Sequence, residues 1–271
     1  MSAEGRKKNV LKTGVKLWSV NTGAVLNEVR PLIENGTCDY LELYAVPGTA
    51  DTLPLWKALG IPTIIHAPHF KHGFNLALRE HRQSNRRLYE ETRRFADELG
   101  ASHIIFHGGT FGCIEETAQQ LAELNEPRAL IENKPAITRN NGSILECRGS
   151  TLREIQHVLS TVGCGFCLDI PHALCAANYH ALPADELLAA FRALEPTMFH
   201  LADMMTEDLL IDDHTPLGGG CLNFRRFIPG IIPPGATVTI ETNRRRPDTL
   251  AEFEAECACL RGVLQEAGLS A

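Results

Sequence analysis

Short apolar runs and amphipathic stretches alternate along the chain. Eight runs are rich in aliphatic and aromatic residues, as buried parallel strands are. They begin at Gly14, Asp39, Pro62, His103, Arg128, Gly165, Thr197 and Thr237. The stretches between them carry apolar residues at helical spacing. Several of these stretches begin with Thr, Asp or Glu and end at Gly or Asn, as capped helices do.

This alternation predicts a parallel sheet covered by helices. Eight strand–helix units over 271 residues predict a (β/α)8 TIM barrel. An open doubly wound sheet is the alternative, but no Gly-x-Gly-x-x-Gly motif follows the first strand. No linker divides the sequence, so we expect a single domain over residues 1–271 with a flexible N-terminus over residues 1–12. The stretch around "NFRRFIPG" has the weakest helical pattern.

Composition and charge narrow the range of partners. The hydrophobic fraction of 44% and the charged fraction of 22% are typical of a soluble globular protein. No apolar stretch could cross a bilayer and the first residues lack the apolar core of a signal peptide, so we expect a cytoplasmic protein without a membrane partner. Nine cysteines without framework spacing suit a reducing compartment. The formal net charge of −7 weighs against duplex DNA as the main partner.

Polar residues close six successive strands, from the third to the eighth. In a TIM barrel the C-terminal strand ends and the loops after them form the active site. Histidine and carboxylate donors suit zinc, manganese or iron, and clustered carboxylates need cations to neutralise them. Nine donors are too many for one ion. The candidate metal ligands are His66, His107, Glu132, Asp169, His172, His200, Asp212, His214 and Glu241.

Four residues among or near these ligands are open to more than one interpretation. Asp169 and His172 lie three residues apart, with His172 expected in the loop after the sixth strand. That spacing is common by chance, so the two residues are either a strand end and a polar turn or two ligands of a metal site. His69 follows His66 by three residues, and we expect it to face the substrate or to support a ligand. Asp203 could accept the second N–H of His200, as metal-bound histidines require.

Seven motifs resemble the endonuclease IV family within the xylose isomerase-like TIM barrels. They are "IIHAPHF", "FHGG", "IEN", "CLDIPHALCAANY", "HLADM", "DDHTPLGGG" and "IET", and the resemblance runs from the second strand to the last helix. It implies a metal-dependent phosphoesterase with three zinc ions, in which a metal-bound hydroxide attacks a phosphodiester of abasic DNA. Glu241 would orient or deprotonate the nucleophile.

The resemblance also implies how the ligands divide among the ions. Glu132 would bridge two ions. The first would also be held by His66 and His107, and the second by Asp169, His200 and Glu241. The third ion would be held by His172, Asp212 and His214. On this pattern Asp169 and His172 bind different ions.

The sequence departs from the family in the elements that would contact DNA. The loop after the second strand, "AVPGTADTLPLWKALG", contains one lysine and no arginine, and Gly219 stands where the family has a glutamate. Arg244, Arg245 and Arg246 follow the last strand, and Arg139 and Arg148 follow the fifth. With His69 and Phe70, the arginine triplet is our candidate substrate-binding set. Arginines bind phosphates or carboxylates well, but a solvated charge run is an equal alternative.

The substrate is therefore expected to be a phosphoester or a sugar phosphate, with DNA poorly supported by the charge. The alternative function is a divalent-metal sugar or sugar-phosphate isomerase or epimerase. It would use Glu132, Asp169, His200 and Glu241 as ligands, and the two glutamates would exchange protons with the sugar. That leaves the remaining histidines and Asp212 without a role, so the phosphoesterase ranks first. A barrel that only binds a ligand ranks third, because the donor set is complete.

Overall fold

Eight parallel strands close into a barrel in the computed structural model, which describes residues 11–246 and 248–266. Around the barrel the order is β1, β2, β3, β4, β5, β8, β9 and β10, and β10 pairs with β1. This confirms the predicted (β/α)8 TIM barrel. The strands are β1 Lys12–Trp18, β2 Tyr40–Tyr44, β3 Thr63–His66, β4 Ile104–His107, β5 Ala129–Glu132, β6 Ile137–Asn140, β7 Ser143–Glu146, β8 Gly165–Asp169, β9 Met198–Leu201 and β10 Thr237–Ile240.

Helices cover the outside of the barrel, and each amphipathic stretch of the sequence contains one. They are α1 Ala24–Glu34, α2 Leu53–Lys57, α3 Arg82–Leu99, α4 Ile114–Leu124, α5 Leu152–Val162, α6 Ile170–His180, α7 Ala184–Arg192, α8 Phe224–Ile231 and α9 Ala251–Glu266. The weak "NFRRFIPG" pattern forms α8. Within the described residues, none of these helices combines the length and apolar character needed to span a bilayer. Of the N-terminal segment, residues 1–10 lie outside the described residues, Leu11 is buried and Lys12 begins β1.

Helix α6 corrects the expected position of His172. The sequence suggested a loop after the sixth barrel strand, but β8 leads directly into α6 and His172 lies in its first turn. The carboxylate of Asp169 caps this helix by accepting the N–H of His172 at 2.7 Å. Pro171 sits in the first turn, where its missing N–H costs nothing. The helix therefore fixes both side chains at the same end of the barrel.

A β-hairpin that the sequence analysis did not predict follows β5. Strands β6 and β7 pair antiparallel, and Asn141 and Gly142 turn between them with φ angles of 48° and 82°. Asn-Gly is the preferred pair for this type of turn. The sequence "NNG" between two short β-prone runs was a usable signal. Thr138 and Arg139 of the hairpin line the cavity at the C-terminal face of the barrel.

The interior of the barrel is closed below the polar cluster by a layer of apolar side chains. Tyr40 belongs to this layer, and its hydroxyl is 2.7 Å from that of Thr239, over Gly14 of the intervening strand β1. The ring of Tyr40 needs the absence of a side chain on Gly14, because a Cβ there would lie 2.3 Å from the ring. The other members of the layer are Ile64, Ile105, Leu130, Cys167 and Met198.

Gly14→Ala should destabilise the barrel by overpacking. We expect the free energy of unfolding to fall by about 1–3 kcal/mol, measured by urea denaturation. Gly262→Ala in α9 is the matched control, because a Cβ at Gly262 meets no heavy atom within 4 Å. The control should be neutral or stabilise the protein by up to about 1 kcal/mol. Equal effects of the two substitutions would contradict this account of Gly14.

Candidate metal centre

The nine predicted ligands converge at the C-terminal end of the barrel. Register explains part of this, because His107 pairs with Glu132 and Asp169 pairs with His200 on neighbouring parallel strands. Paired residues at one level of a barrel point to the same side. Ligand atoms lie within 4.8 Å of one another in four groups. Three overlap through Glu132 or His172: His66, His107 and Glu132; Glu132, Asp169 and His172; and His172, Asp212 and His214. The fourth is Glu42, His200 and Glu241.

Glu132 lies at the centre of this cluster and is fully buried. Its Oε2 atom lies 3.2 Å from Nε2 of His66 and 3.1 Å from Nε2 of His107. Its Oε1 atom lies 3.0 Å from Nδ1 of His172. Burial opposes ionisation, but the ammonium of Lys134 and the neighbouring His107 hold the pKa of Glu132 well below its usual range. An ionised carboxylate with one oxygen on each side can bridge two cations.

His200 presents a second group of donors to the cluster. Its Nδ1 atom lies 2.8 Å from Oε2 of Glu241 and 3.7 Å from Oδ2 of Asp169. Within the described residues, Nδ1 of His200, Oε2 of Glu241 and Oδ2 of Asp212 are buried without a hydrogen-bond partner. Zinc bonds of about 2.0–2.2 Å place neighbouring ligand atoms about 3 Å apart. Nδ1 of His200 and Oε2 of Glu241 therefore fit a divalent ion between them, whereas Oδ2 of Asp212 belongs to the group with His172 and His214.

Lys16 and Glu42 belong to the site, although the sequence analysis did not select them. They are register partners on β1 and β2. Nζ of Lys16 lies 2.6 Å from Oε1 of Glu241 and 3.3 Å from Oε1 of Glu42. Burial opposes its charge, but these two carboxylates raise the pKa of Lys16 above its usual value. The available signal was a charged residue inside an otherwise apolar strand, because such a residue in a barrel needs a partner.

Glu42 also orients His200, and the expectation that Asp203 does so is wrong. The Nε2–H of His200 donates to Oε2 of Glu42 at 2.9 Å. Asp203 instead accepts backbone N–H groups of the glycine-rich loop, from Gly218 at 3.1 Å and Gly220 at 3.0 Å. Asp203 lies beyond the end of β9, where its side chain faces the glycine-rich loop rather than the imidazole of His200.

A cavity of about 340 Å³ opens above the cluster. His69 and Phe70 both line it, as the sequence analysis proposed for substrate-binding residues. Burial and the neighbouring His107 lower the pKa of His69, so its imidazole is neutral. Trp18 and Tyr44 form an aromatic wall with ring centroids 4.5 Å apart. Trp18 is 39% exposed, so its ring is accessible from the cavity mouth.

The arginine triplet divides between the cavity and the outer surface. Arg244 lines the cavity, and its Nη2 donates to the carbonyl of Lys16 at 2.8 Å. Its Nη1 is buried and has no hydrogen-bond partner in the described part of the chain. Arg245 and Arg246 are exposed and do not line this cavity. The backbone N–H of Arg245 donates to Glu252.

The two arginines after β5 also separate. Arg139 lines the cavity from the hairpin. Arg148 donates instead to the backbone carbonyls of Phe111 and Gly112, at 2.9 and 3.1 Å. Of the five arginines considered in the sequence, Arg139 and Arg244 are therefore the ones placed to meet a ligand.

Comparisons with known proteins agree with this architecture. Residues 47–263 match the family model described as xylose isomerase-like TIM barrel. The probable endonuclease 4 of Mycobacterium tuberculosis is 24% identical over 216 residues, which cover 77% of this chain and 84% of that protein. Endonuclease IV from Thermus thermophilus has a TM-score of 0.68 at 20% identity, covering 94% of this chain and 100% of that chain.

A solved epimerase is similar in fold as well. The 3-keto-D-glucoside 4-epimerase from E. coli has a TM-score of 0.61 at 14% identity, covering 94% of this chain and 99% of that chain. At these identities the two solved structures show the fold alone. The family model matches more than half of the sequence. The chain therefore belongs to the xylose isomerase-like TIM-barrel family.

Proposed function

We propose that the chain is a zinc-dependent phosphoesterase. The observation that carries the proposal is that all nine candidate ligands fall into close groups at one end of the barrel, two of which contain the buried carboxylate of Glu132. An isomerase centre would use only four of them. A hydrolytic centre with more than one ion also gives a role to His66, His107, Asp212 and His214. Bound zinc would lower the pKa of a water nucleophile and neutralise charge on the phosphate, and manganese or iron suit the same donors.

The side chains around the cluster support this chemistry. Lys16 holds one oxygen of Glu241, which leaves Oε2 facing the cluster to accept a proton or to bind a metal. Arg244 lines the cavity, and charge-assisted hydrogen bonds from a guanidinium group to a phosphate are strong. Glu132 keeps the two halves of the donor set together. These are the roles that we assign to Glu132, Glu241 and Arg244.

A small phosphoester, including a sugar phosphate, fits the site better than duplex DNA does. A cavity of about 340 Å³ is at the small end of the range for ligand pockets. Trp18 offers an exposed aromatic face on which a sugar or a base can stack. The loop after β2 contributes Lys57 as its single basic residue. We therefore propose a small phosphodiester or a single-stranded end as substrate, rather than an abasic duplex.

A comparison of two substrates tests this proposal directly. The full chain, reconstituted with zinc, would be assayed on bis(p-nitrophenyl) phosphate and on a duplex oligonucleotide with one abasic site. We expect zinc-dependent hydrolysis of the small diester and much slower cleavage of the duplex. If neither substrate is cleaved, the phosphoesterase proposal is overturned. Preferential cleavage of the duplex would overturn the substrate assignment and keep the chemistry.

An epimerase is the second candidate, and one observation favours it. Glu132, Asp169 and Glu241 surround Nδ1 of His200 at 3.7, 3.7 and 2.8 Å, as the ligands of a single ion would. Glu132 and Glu241 would then exchange protons with the sugar. Incorporation of solvent deuterium into sugars or sugar phosphates, without hydrolysis of any phosphodiester, would favour this function over the first.

Chelation should remove activity and lower the melting temperature. Ions bound only to the folded state stabilise it, by about 4 kcal/mol at a free concentration of about 1,000 times Kd. For a chain of this size we expect a decrease in Tm on the order of 10 °C with excess EDTA, measured by calorimetry. Zinc should restore Tm and activity, whereas calcium should restore neither. An unchanged Tm under chelation would contradict a metal centre in this cluster.

A further inference from the structure

The side chain of Asn133 bridges the ends of two neighbouring barrel strands. Asn133 directly follows Glu132 and is fully buried. Backbone pairing between β5 and β8 extends to Glu132 and Cys167. Beyond that point the amide of Asn133 binds the backbone of Asp169: its Oδ1 accepts the N–H at 2.8 Å, and its Nδ2 donates to the carbonyl at 2.8 Å. The side chain therefore continues the pairing of the two strands by one more step.

This pair of hydrogen bonds fixes the carboxylate of Asp169, which is a predicted ligand. While Asn133 holds the backbone of Asp169, Oδ1 of Asp169 accepts the N–H of His172 at 2.7 Å. Oδ2 then faces Nδ1 of His200 at 3.7 Å. Without the amide of Asn133, the N–H and the carbonyl of Asp169 would each lose a buried partner, which is costly, so the strand end would shift to find others. Such a shift would move Oδ2 away from His200.

The main chain of Asn133 contacts a second predicted ligand. Its carbonyl oxygen lies 3.0 Å from Nδ1 of His172. Because a carbonyl oxygen only accepts, Nδ1–H of His172 is the donor of this hydrogen bond. Nε2 is then the nitrogen that can bind a metal, and it lies 3.4 Å from Oδ2 of Asp212. Metal-bound histidines donate their other ring N–H to a partner of this kind.

We propose that Asn133 is a positioning residue of the metal centre, which fixes Asp169 through its amide and His172 through its carbonyl. These two ligands form one close group with Glu132, the residue that precedes Asn133. The position of all three ligands in that group therefore depends on Asn133. The inference rests on the metal centre of the proposed function, but not on the reaction that the centre catalyses.

The affinity for zinc tests the inference without an activity assay. The full-length wild type and an Asn133→Ala variant would be titrated with zinc in competition with a chromophoric chelator. We expect Asn133→Ala to bind zinc about 10–100-fold more weakly. Asn133→Ser keeps a hydroxyl but cannot make both hydrogen bonds, so it should lose affinity in the same direction, and it replaces the alanine variant if that one does not fold. Unchanged affinity in a folded variant would overturn the inference.

Asn85→Ala is the matched control. Asn85 is buried as well, and its amide holds the backbone of Asn75 in the same way, accepting the N–H at 3.0 Å and donating to the carbonyl at 2.9 Å. The partners of Asn85 among the described residues are Asn75 and Gln120, and neither is a predicted ligand. Asn85→Ala should lower the stability to urea but keep the zinc affinity of the wild type. An equal loss of affinity in the two alanine variants would indicate general destabilisation and would overturn the positioning role.

Cobalt(II) in place of zinc gives a second readout, because its visible absorption depends on the arrangement of its ligands. We expect the spectrum of Asn133→Ala to differ from that of the wild type and the spectrum of Asn85→Ala to match it. A wild type that binds neither metal would overturn the metal centre and this inference together. If the affinities are as expected but no phosphodiester is hydrolysed, the proposed function fails and the positioning role of Asn133 stands.

Discussion

Glu132→Gln is expected to abolish activity and to release metal. The substitution keeps the shape of the side chain but removes its charge, and the amide nitrogen cannot accept or coordinate. Both oxygens of Glu132 are in use, toward His66 and His107 on one side and toward His172 and Lys134 on the other. We expect kcat/KM to fall by more than about 100-fold, beyond the range for residues that only support a ligand. Elemental analysis should show fewer than the wild-type number of ions.

The same substitution should also destabilise the chelated protein. Removing one member of a buried charge pair leaves the ammonium of Lys134 without its nearest carboxylate, at a cost of about 3–5 kcal/mol. Glu126→Gln is the matched control, because Glu126 is a buried carboxylate that accepts from Tyr89 and Arg128 instead. The control should lose stability but keep its metal and its activity. Wild-type activity and metal content in Glu132→Gln would remove Glu132 from the centre.

Much of the fold was readable from the sequence because barrel strands and their helices are patterned locally. Buried strands carry continuous apolar runs, and the helices between them are amphipathic and capped, so each of the eight units has its own signal. Helix α6 was missed because it is not amphipathic. Its first eight residues, from Ile170 to Ala177, are all buried, so no polar face marks it as a helix. The hairpin was missed because β6 and β7 are short and lie within a single connection.

The candidate site was predictable where its residues end a strand. His66, His107, Glu132 and Asp169 are the last residues of their strands, and the topology of a barrel brings such positions together. Lys16 and Glu42 lie inside their strands, and only the closed register of β1 and β2 shows that they face the cluster. Lys134 follows Glu132 by two residues, and its long side chain could point either way. The direction of a side chain beyond the strand end depends on tertiary packing, which sequence spacing does not encode.

Glu42→Gln is expected to weaken zinc binding by about 10–100-fold, although Glu42 is not among the predicted ligands. Its Oε2 accepts from Nε2 of His200 at 2.9 Å and from the hydroxyl of Thr239 at 2.6 Å. Burial alone would raise its pKa, but His200 and Lys16 lower the pKa of Glu42 to about 2. The carboxylate is therefore ionised at neutral pH. It fixes the tautomer of His200 with the proton on Nε2, which leaves the lone pair of Nδ1 facing the cluster as a stronger metal ligand.

The affinity for zinc would be measured by competition with a chromophoric chelator, in the wild type and in Glu42→Gln. Glu256→Gln provides the comparison, because Glu256 is a buried carboxylate that accepts from Leu217 and Thr242 without contacting a predicted ligand. We expect the zinc affinity of Glu256→Gln to match that of the wild type. An equal loss in both variants would attribute the effect to general destabilisation. A loss confined to Glu42→Gln would show that β2 takes part in the centre by orienting His200. Glu42 contacts His200, whereas Glu256 contacts Leu217 and Thr242.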